Sequence, residues 1–209
     1  MRGVSIVVLA AGRSRRFRES AEDGQRSSPK QLARFEDEPL VRRAARTALA
    51  AGPEEVIVVV GQDGERVAAA LDGLEVRCVA NPDFARGQSS SMRVGLEAVR
   101  GRTDAVLFMP CDQPLVETEL LRDLAARYRR GRVDAVASAL EGAPRTPAIF
   151  GRELFERLSD LEGDVGARGL FDDPDVRLAT VEVAGPLVLF DVDTVDDLNE
   201  LARRRRTHG

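Results

Sequence analysis

Residues 4–17 read Val-Ser-Ile-Val-Val-Leu-Ala-Ala-Gly-Arg-Ser-Arg-Arg-Phe: a short apolar run, two alanines and a glycine, then a basic stretch. Val4 to Leu9 is rich in β-branched residues and nearly without polar alternation, which predicts a strand buried on both faces. It is too short to span a membrane as a helix. Small residues at the carboxyl end of such a strand let the backbone approach a ligand closely and aim N–H groups at its phosphates, with Arg13, Arg15 or Arg16 adding positive charge. The loop has neither the Gly-Lys-Ser/Thr of a Walker A sequence nor the Gly-x-Gly-x-x-Gly dinucleotide fingerprint. A small-residue turn followed by a solvated basic run is the alternative.

Outward from this strand, similar runs recur at Val56 to Val60, Val76 to Val79, Ala105 to Met109 and Val133 to Ala137. Helical patterns separate them. Pro39 to Ala51 opens on a proline and stops at Gly52, Ser91 to Arg100 stops at Gly101, and Leu120, Leu121, Leu124 and Tyr128 form an apolar stripe. The second half adds an extended stretch at Thr146 to Phe150, helices around Glu153 to Leu158 and Val165 to Phe171, and strands near Leu178 to Val183 and Leu187 to Phe190. Alternating strands and helices predict an α/β fold, a Rossmann-like three-layer α/β/α sandwich on a mainly parallel, mixed sheet. In such sheets ligands sit at the carboxyl ends of strands, so chemistry is expected after Leu9 and after Met109. Residues 18–29, polar and aperiodic, read as a mobile loop.

The chain has 209 residues, 43% hydrophobic and 32% charged, with a net charge of −4, which predicts one soluble globular domain, expected in the cytoplasm without an export signal, and no broad basic face for nucleic acid. Cys78 and Cys111 have no partners at metal-ligand spacing and are expected as buried free thiols. His208 alone, at the end of the chain, leaves no material for a histidine-based triad or zinc hydrolase. Chemistry falls to carboxylates, Lys, Arg and a hard metal. The run Arg203 to Arg206 reads as solvated cations complementing the dipole of a last helix.

Three segments carry polar residues at the predicted ligand edge. Asn81-Pro-Asp-Phe-Ala-Arg-Gly-Gln-Ser-Ser-Ser91 follows a strand and opens a helix, placing hydroxyls and a positive helix end near an anion, or simply capping the helix. Met109-Pro-Cys-Asp-Gln-Pro-Leu115 puts Asp112 at a strand end, where a hard oxygen ligand suits Mg²⁺ shared with phosphate oxygens; a turn-forming Asp is the alternative. In Asp191-Val-Asp-Thr194, Thr194 and Asp197 form a plausible capping pair, and alternation lets only one of Asp191 and Asp193 face a site.

Together these segments resemble the MobA-like NTP transferases, and within them the molybdenum cofactor cytidylyltransferases. Members begin with a strand, then Ala-Ala-Gly-x-Ser-x-Arg-Phe-Gly, then a Lys before a short apolar stretch; Ala10 to Phe17 and Pro29-Lys-Gln-Leu32 correspond. The Lys stands farther along here, across residues 18–29, which reads as an insertion of small closure cost. The resemblance implies Arg13, Lys30 and Asp112 as catalytic residues, with Leu9, Ala10, Ala11, Gly12, Arg13, Lys30, Asn81, Gly87 and Ser89 against the nucleotide. It implies Mg²⁺ on Asp112, with Asp193 as a second contact. Gly163-Asp-Val-Gly-Ala-Arg168 is similar to a stretch of the cytidylyltransferase branch and implies Asp164 and Arg168, with Pro147, at the acceptor; an ion pair across one helical turn is the structural alternative.

The implied fold is nucleotide-diphospho-sugar-transferase-like, with residues 1–115 mainly binding nucleotide and 116–209 mainly binding acceptor. The implied reaction transfers CMP from CTP to molybdopterin, because the Ala-Ala-Gly loop accompanies CTP and a Gly-Gly form GTP. The implied partners are these two substrates and, transiently, a molybdoenzyme apoprotein, with no nucleic acid and no membrane. Other readings are an NTP transferase acting from GTP on molybdopterin or on a sugar phosphate or another small phosphorylated acceptor, a noncatalytic cofactor carrier, and a redox enzyme.

Overall fold

Strand β1 (Val4–Ala10) is buried along its whole length, as its composition requires. The computed structural model describes residues 1–21, 28–163 and 166–208. After β1 come α1 (Arg15–Ser20), the two-residue strands β2 (Arg34–Phe35) and β3 (Glu38–Pro39), α2 (Leu40–Ala50), β4 (Val56–Val60), α3 (Gly64–Ala69), β5 (Arg77–Ala80), α4 (Gln88–Val99) and β6 (Ala105–Pro110). The second half holds α5 (Thr118–Arg129), β7 (Ala135–Leu140), β8 (Ala143–Gly151), α6 (Phe155–Ser159), α7 (Arg168–Phe171), β9 (Leu178–Glu182) and α8 (Val195–His208).

The main sheet has seven strands in the order β5-β4-β1-β6-β8-β7-β9. β1 pairs in parallel with β4 and β6, and only β8 runs against its neighbours, so the sheet is mixed and mainly parallel. Strand alternation splits the core into two layers. Ile6, Val8 and Ala10 join Val41, Ala44 and Ala48 of α2 and Leu121 and Leu124 of α5 on one face. Val7, Leu9 and Ala11 join Met92 and Leu96 of α4 and Phe155 and Leu158 of α6 on the other. A smaller cluster of Phe17, Phe35, Leu40, Val192 and Leu201 ties α1 and α8 to the edge where β1 ends.

Four expectations change. Leu187 to Phe190 is not a strand: it follows Gly185 and Pro186 as successive turns, with Val188 N–H on Gly185 O and Phe190 N–H on Leu187 O, and its side chains fill two core clusters. Cys78 is exposed, because β5 is an edge strand covered on one side; Cys111 is buried. Arg18 to Ser20 is the last turn of α1 rather than loop, held by Arg18 on Asp63 (2.5 Å) and by Ser20 Oγ on Phe17 O (3.0 Å); residues 22–27 lie outside the described residues. Helix α4 starts at Gln88, so the three serines lie inside its first turn and none caps it.

Gly95 in α4 packs directly on β1: a Cβ there would lie 2.3 Å from Val7 Cγ1. Gly95→Ala should therefore destabilise the protein by about 1–3 kcal/mol despite alanine's better helix propensity, read as a lower denaturant midpoint. At the amino end of β7, Asp134 accepts from Arg177 N–H (2.8 Å) and Nε (3.0 Å), and these bonds hold its carboxyl below the usual carboxylate range. Its contribution to stability is then complete above the unfolded carboxyl range, about pH 4, and lost as pH falls through the lower folded value. The stability gap between wild type and Asp134→Asn should shrink between pH 6 and pH 2.5; a gap constant over that window would contradict it.

Candidate active site

Strand β1 carries the chain to a crevice at the carboxyl end of the sheet, because the connection from β1 leads to β4 on one side while β6 lies on the other. A cavity of about 590 Å³ opens there, lined by Leu9 and by Ala11 to Phe17, by Lys30 and Gln31, by Phe84, Ala85, Gly87, Gln88 and Ser91, by Pro110 to Asp112 and by Asp193. Among the described residues nothing accepts from the N–H groups of Ala11, Gly12 and Arg13, so three successive donors remain at the wall of this cavity. Arg13 and Arg15 are exposed at its mouth and have no carboxylate partner among the described residues. Gly87 and Gln88 place the positive end of α4 on the same space.

The floor carries the opposite charge. Lys30 Nζ lies 2.6 Å from Asp112 Oδ2 and 3.0 Å from Asp193 Oδ1, with only 12% of its side chain exposed. Burial alone would lower its pKa, but the two carboxylates outweigh it and hold the ammonium well above its ordinary value. Arg16 reaches Asp193 Oδ2 from outside at 2.9 Å. Val192 N–H donates to Asp112 O (2.9 Å), which locks the 191–193 segment against the end of β6. Asp197 Oδ2 then accepts from Asp193 N–H and Thr194 N–H, and Asp197 N–H donates to Thr194 Oγ, the capping pair expected from sequence.

Asp191 takes the other direction: its Oδ1 accepts from Gln113 Nε2 (3.0 Å), and partial desolvation of the carboxyl, although the residue as a whole is exposed, followed by the charge of Asp112 pushes it up to about 6. Cys111 Sγ is likewise pushed up, by burial and then by Asp112, so the thiol stays protonated and is a poor nucleophile. Asp112 Oδ1 is buried and has no hydrogen-bond partner among the described residues. No group of three metal-ligating side chains converges among the described residues. Two carboxylates and an orphaned buried oxygen nevertheless suit Mg²⁺ of the kind that takes one or two carboxylates and completes its shell with phosphate oxygens and water.

Of the expected nucleotide contacts, Leu9, Ala11, Gly12, Arg13, Lys30 and Gly87 line the cavity together with Asp112 and Asp193. Ala10 does not: alternation along β1 turns its methyl into the layer under α2. Asn81 and Ser89 are buried and stand off the wall. Asn81 Nδ2 donates to Ser90 Oγ and Ser91 Oγ (2.9 Å each) while its Oδ1 accepts from Asp83 N–H, so it braces the loop that presents Gly87. Ser91 replaces Ser89 at the cavity. Pro147 is buried in the β7–β8 hairpin, where its carbonyl accepts from Ser138 Oγ (2.8 Å), and Arg168 is exposed; neither lines the cavity. Asp164 lies outside the described residues.

Among the described residues of the Gly163 to Arg168 stretch, Gly166 alone is seen at the rim, where a Cβ on it would stand 2.6 Å from Oε1 of the cavity-lining Gln88. Phe84, Gln88, Gln31 and Ser14 were not singled out from sequence. All four sit inside quoted motifs, but their direction is set by turns whose geometry the residue types leave open.

At the carboxyl edge of the α/β sheet, amides and arginines without partners among the described residues meet a lysine-bridged carboxylate pair, an arrangement whose charges suit a polyphosphate beside a cation. The chain matches the MobA-like NTP transferase domain over residues 6–181 and belongs to that family of nucleotidyltransferases. It is 28% identical to the "Nicotine blue oxidoreductase" of Paenarthrobacter nicotinovorans over 95% of this chain and 96% of that protein. It is 29% identical to the "Probable molybdenum cofactor guanylyltransferase" of Haloferax mediterranei over 97% and 95%. Among solved structures, a nucleotidyl transferase from Methanothermobacter (Mth528) superposes with a TM-score of 0.85 at 25% identity, over 100% of both chains. The manganese complex of Rv0371c from Mycobacterium tuberculosis superposes with a TM-score of 0.77 at 29% identity, over 96% of this chain and 98% of that one. The fold is that of the nucleotide-diphospho-sugar transferases.

A cation entering between Asp112 and Asp193 without nucleotide must compete with Lys30. Lys30→Gln should therefore raise the affinity for Mn²⁺ alone by about tenfold, or about 1.4 kcal/mol. Titration followed by electron paramagnetic resonance reads this; an unchanged or weaker affinity would show that the ammonium does not compete.

Proposed function

We propose that this chain transfers CMP from CTP to the terminal phosphate of molybdopterin, releasing pyrophosphate and forming molybdopterin cytosine dinucleotide, with Mg²⁺ as its metal. The observation that carries the transferase reading is the meeting, in one cavity, of unpaired backbone donors after β1 with the Lys30–Asp112–Asp193 cluster. Family membership supports it, as does the manganese complex of a structural relative. The choice of CTP rests on the Ala10-Ala11-Gly12 form of the loop, and molybdopterin on the Gly163 to Arg168 stretch and the name of the Haloferax relative.

In this reading the amides of Ala11 to Arg13 and the Arg13 guanidinium hold the β- and γ-phosphates, and Lys30 turns from the carboxylates to the α-phosphate. Asp112, with Asp193, holds the metal, which when bound polarises the α-phosphoryl group and neutralises the leaving pyrophosphate. An acceptor phosphate oxygen attacks the α-phosphorus in line; the new P–O bond forms as the α–β bridge breaks, and its electron pair leaves with pyrophosphate. A phosphate monoester is ionised near neutral pH, so no histidine base is required.

The test is incubation of purified protein with Mg²⁺, CTP and molybdenum-bound molybdopterin. Formation of the cytosine dinucleotide with stoichiometric pyrophosphate is expected, and Asp112→Ala should lower kcat by on the order of 10²–10³-fold. Turnover with GTP or a sugar phosphate and none with CTP would overturn the substrate choice. Unchanged cofactor delivery by Asp112→Ala would favour a carrier, and NAD(P)H consumption a redox enzyme.

A further inference from the structure

We propose that Ser14 and Gln31 are positioning residues that hold the phosphate loop and Lys30 in register across the intervening segment; this rests on reading Lys30 as a triphosphate contact. Three hydrogen bonds close a chain between the two pieces. Lys30 N–H donates to Ser14 Oγ (3.0 Å), Ser14 Oγ donates to Gln31 Oε1 (2.9 Å), and Gln31 Nε2 donates to Gly12 O (2.8 Å). Both side chains are buried, Ser14 at 8% and Gln31 at 3% exposure.

Each bond has a consequence at the site. With Gly12 O committed to Gln31, the planar peptide turns the N–H of Arg13 to the opposite side, where it has no acceptor among the described residues. With its own N–H committed to Ser14, Lys30 is anchored at the backbone, and its side chain bridges Asp112 and Asp193 from a fixed origin. Without these bonds the backbone of Lys30 would lose its tie to the first loop, and the reach of its side chain alone would not fix its place. Ser14 holds φ +54°, a left-handed conformation that a side chain with a Cβ rarely adopts. Glycine would adopt it more easily, so the hydroxyl is the feature that the position uses.

Ser14→Gly removes the hydroxyl while permitting that backbone conformation, and Gln31→Ala breaks the chain from its other end. Two measurements read the proposal: hydrogen exchange of the Lys30 amide in the free protein, and CTP affinity by calorimetry with Mg²⁺. Either substitution should speed Lys30 amide exchange at least tenfold and weaken CTP about tenfold. In a Lys30→Gln background, Ser14→Gly should add little further loss, because the two act through the same contact. Unchanged protection of the Lys30 amide in both variants would overturn the proposal, as would an equal loss of CTP affinity with and without Lys30. If wild type bound no nucleotide, the proposed function would fall, while amide exchange would still decide whether Ser14 and Gln31 hold Lys30.

Discussion

Strand β1 has no free edge and no exposed face: β4 and β6 take its hydrogen bonds on either side, and the two core layers take its side chains above and below. A strand so enclosed can meet a ligand only where it ends. The loop after Ala10, the end of β6 at Pro110 and the amino end of α4 therefore face one crevice, and the third hydrophobic cluster brings the 191–193 segment to the same edge by burying Val192 with Phe17 and Leu201. The packing of the sheet places the chemistry.

Within the crevice the cations are of two kinds. Arg13 and Arg15 are solvated and have no carboxylate partner among the described residues, whereas Lys30 is buried and already compensated by Asp112 and Asp193. A buried ammonium without partners would lose its proton; with two carboxylates it keeps the proton and serves as a counterion. In the proposed reaction, opposed charges held close in a partly desolvated site would exchange partners when a triphosphate and a metal arrive together, and a chain of net charge −4 would bind its polyanion by this local arrangement rather than by its overall field.

The reading from sequence failed where direction, rather than residue type, decides the outcome. Ala10 and Ala11 are identical in composition, yet one turns into the core and the other to the cavity. Ser89, Ser90 and Ser91 are equally good hydroxyl donors, but a helix starting at Gln88 sends only Ser91 to the wall. Leu187 to Phe190 has the composition of a strand, and the turn set by Gly185 and Pro186 uses the same apolar residues to plug two clusters. A one-residue change of phase alters each of these outcomes, and composition does not report phase.

By itself the sequence determined the architecture and the edge where the candidate site is expected: unbroken β-branched runs can be satisfied only as enclosed strands, small residues at a strand end leave amides bare, and a single histidine leaves carboxylates, lysine and arginine as the candidate groups. It also placed Arg13, Lys30, Asp112 and Asp193 among the candidates. Only the tertiary structure decided that Lys30 stands between the two carboxylates, that Asp193 rather than Asp191 faces the cavity, and that Ser14 and Gln31 carry Lys30 back to the first loop. Those relations join residues 14, 31, 112 and 193, and contacts between segments so far apart along the chain exist only once the core has closed around β1.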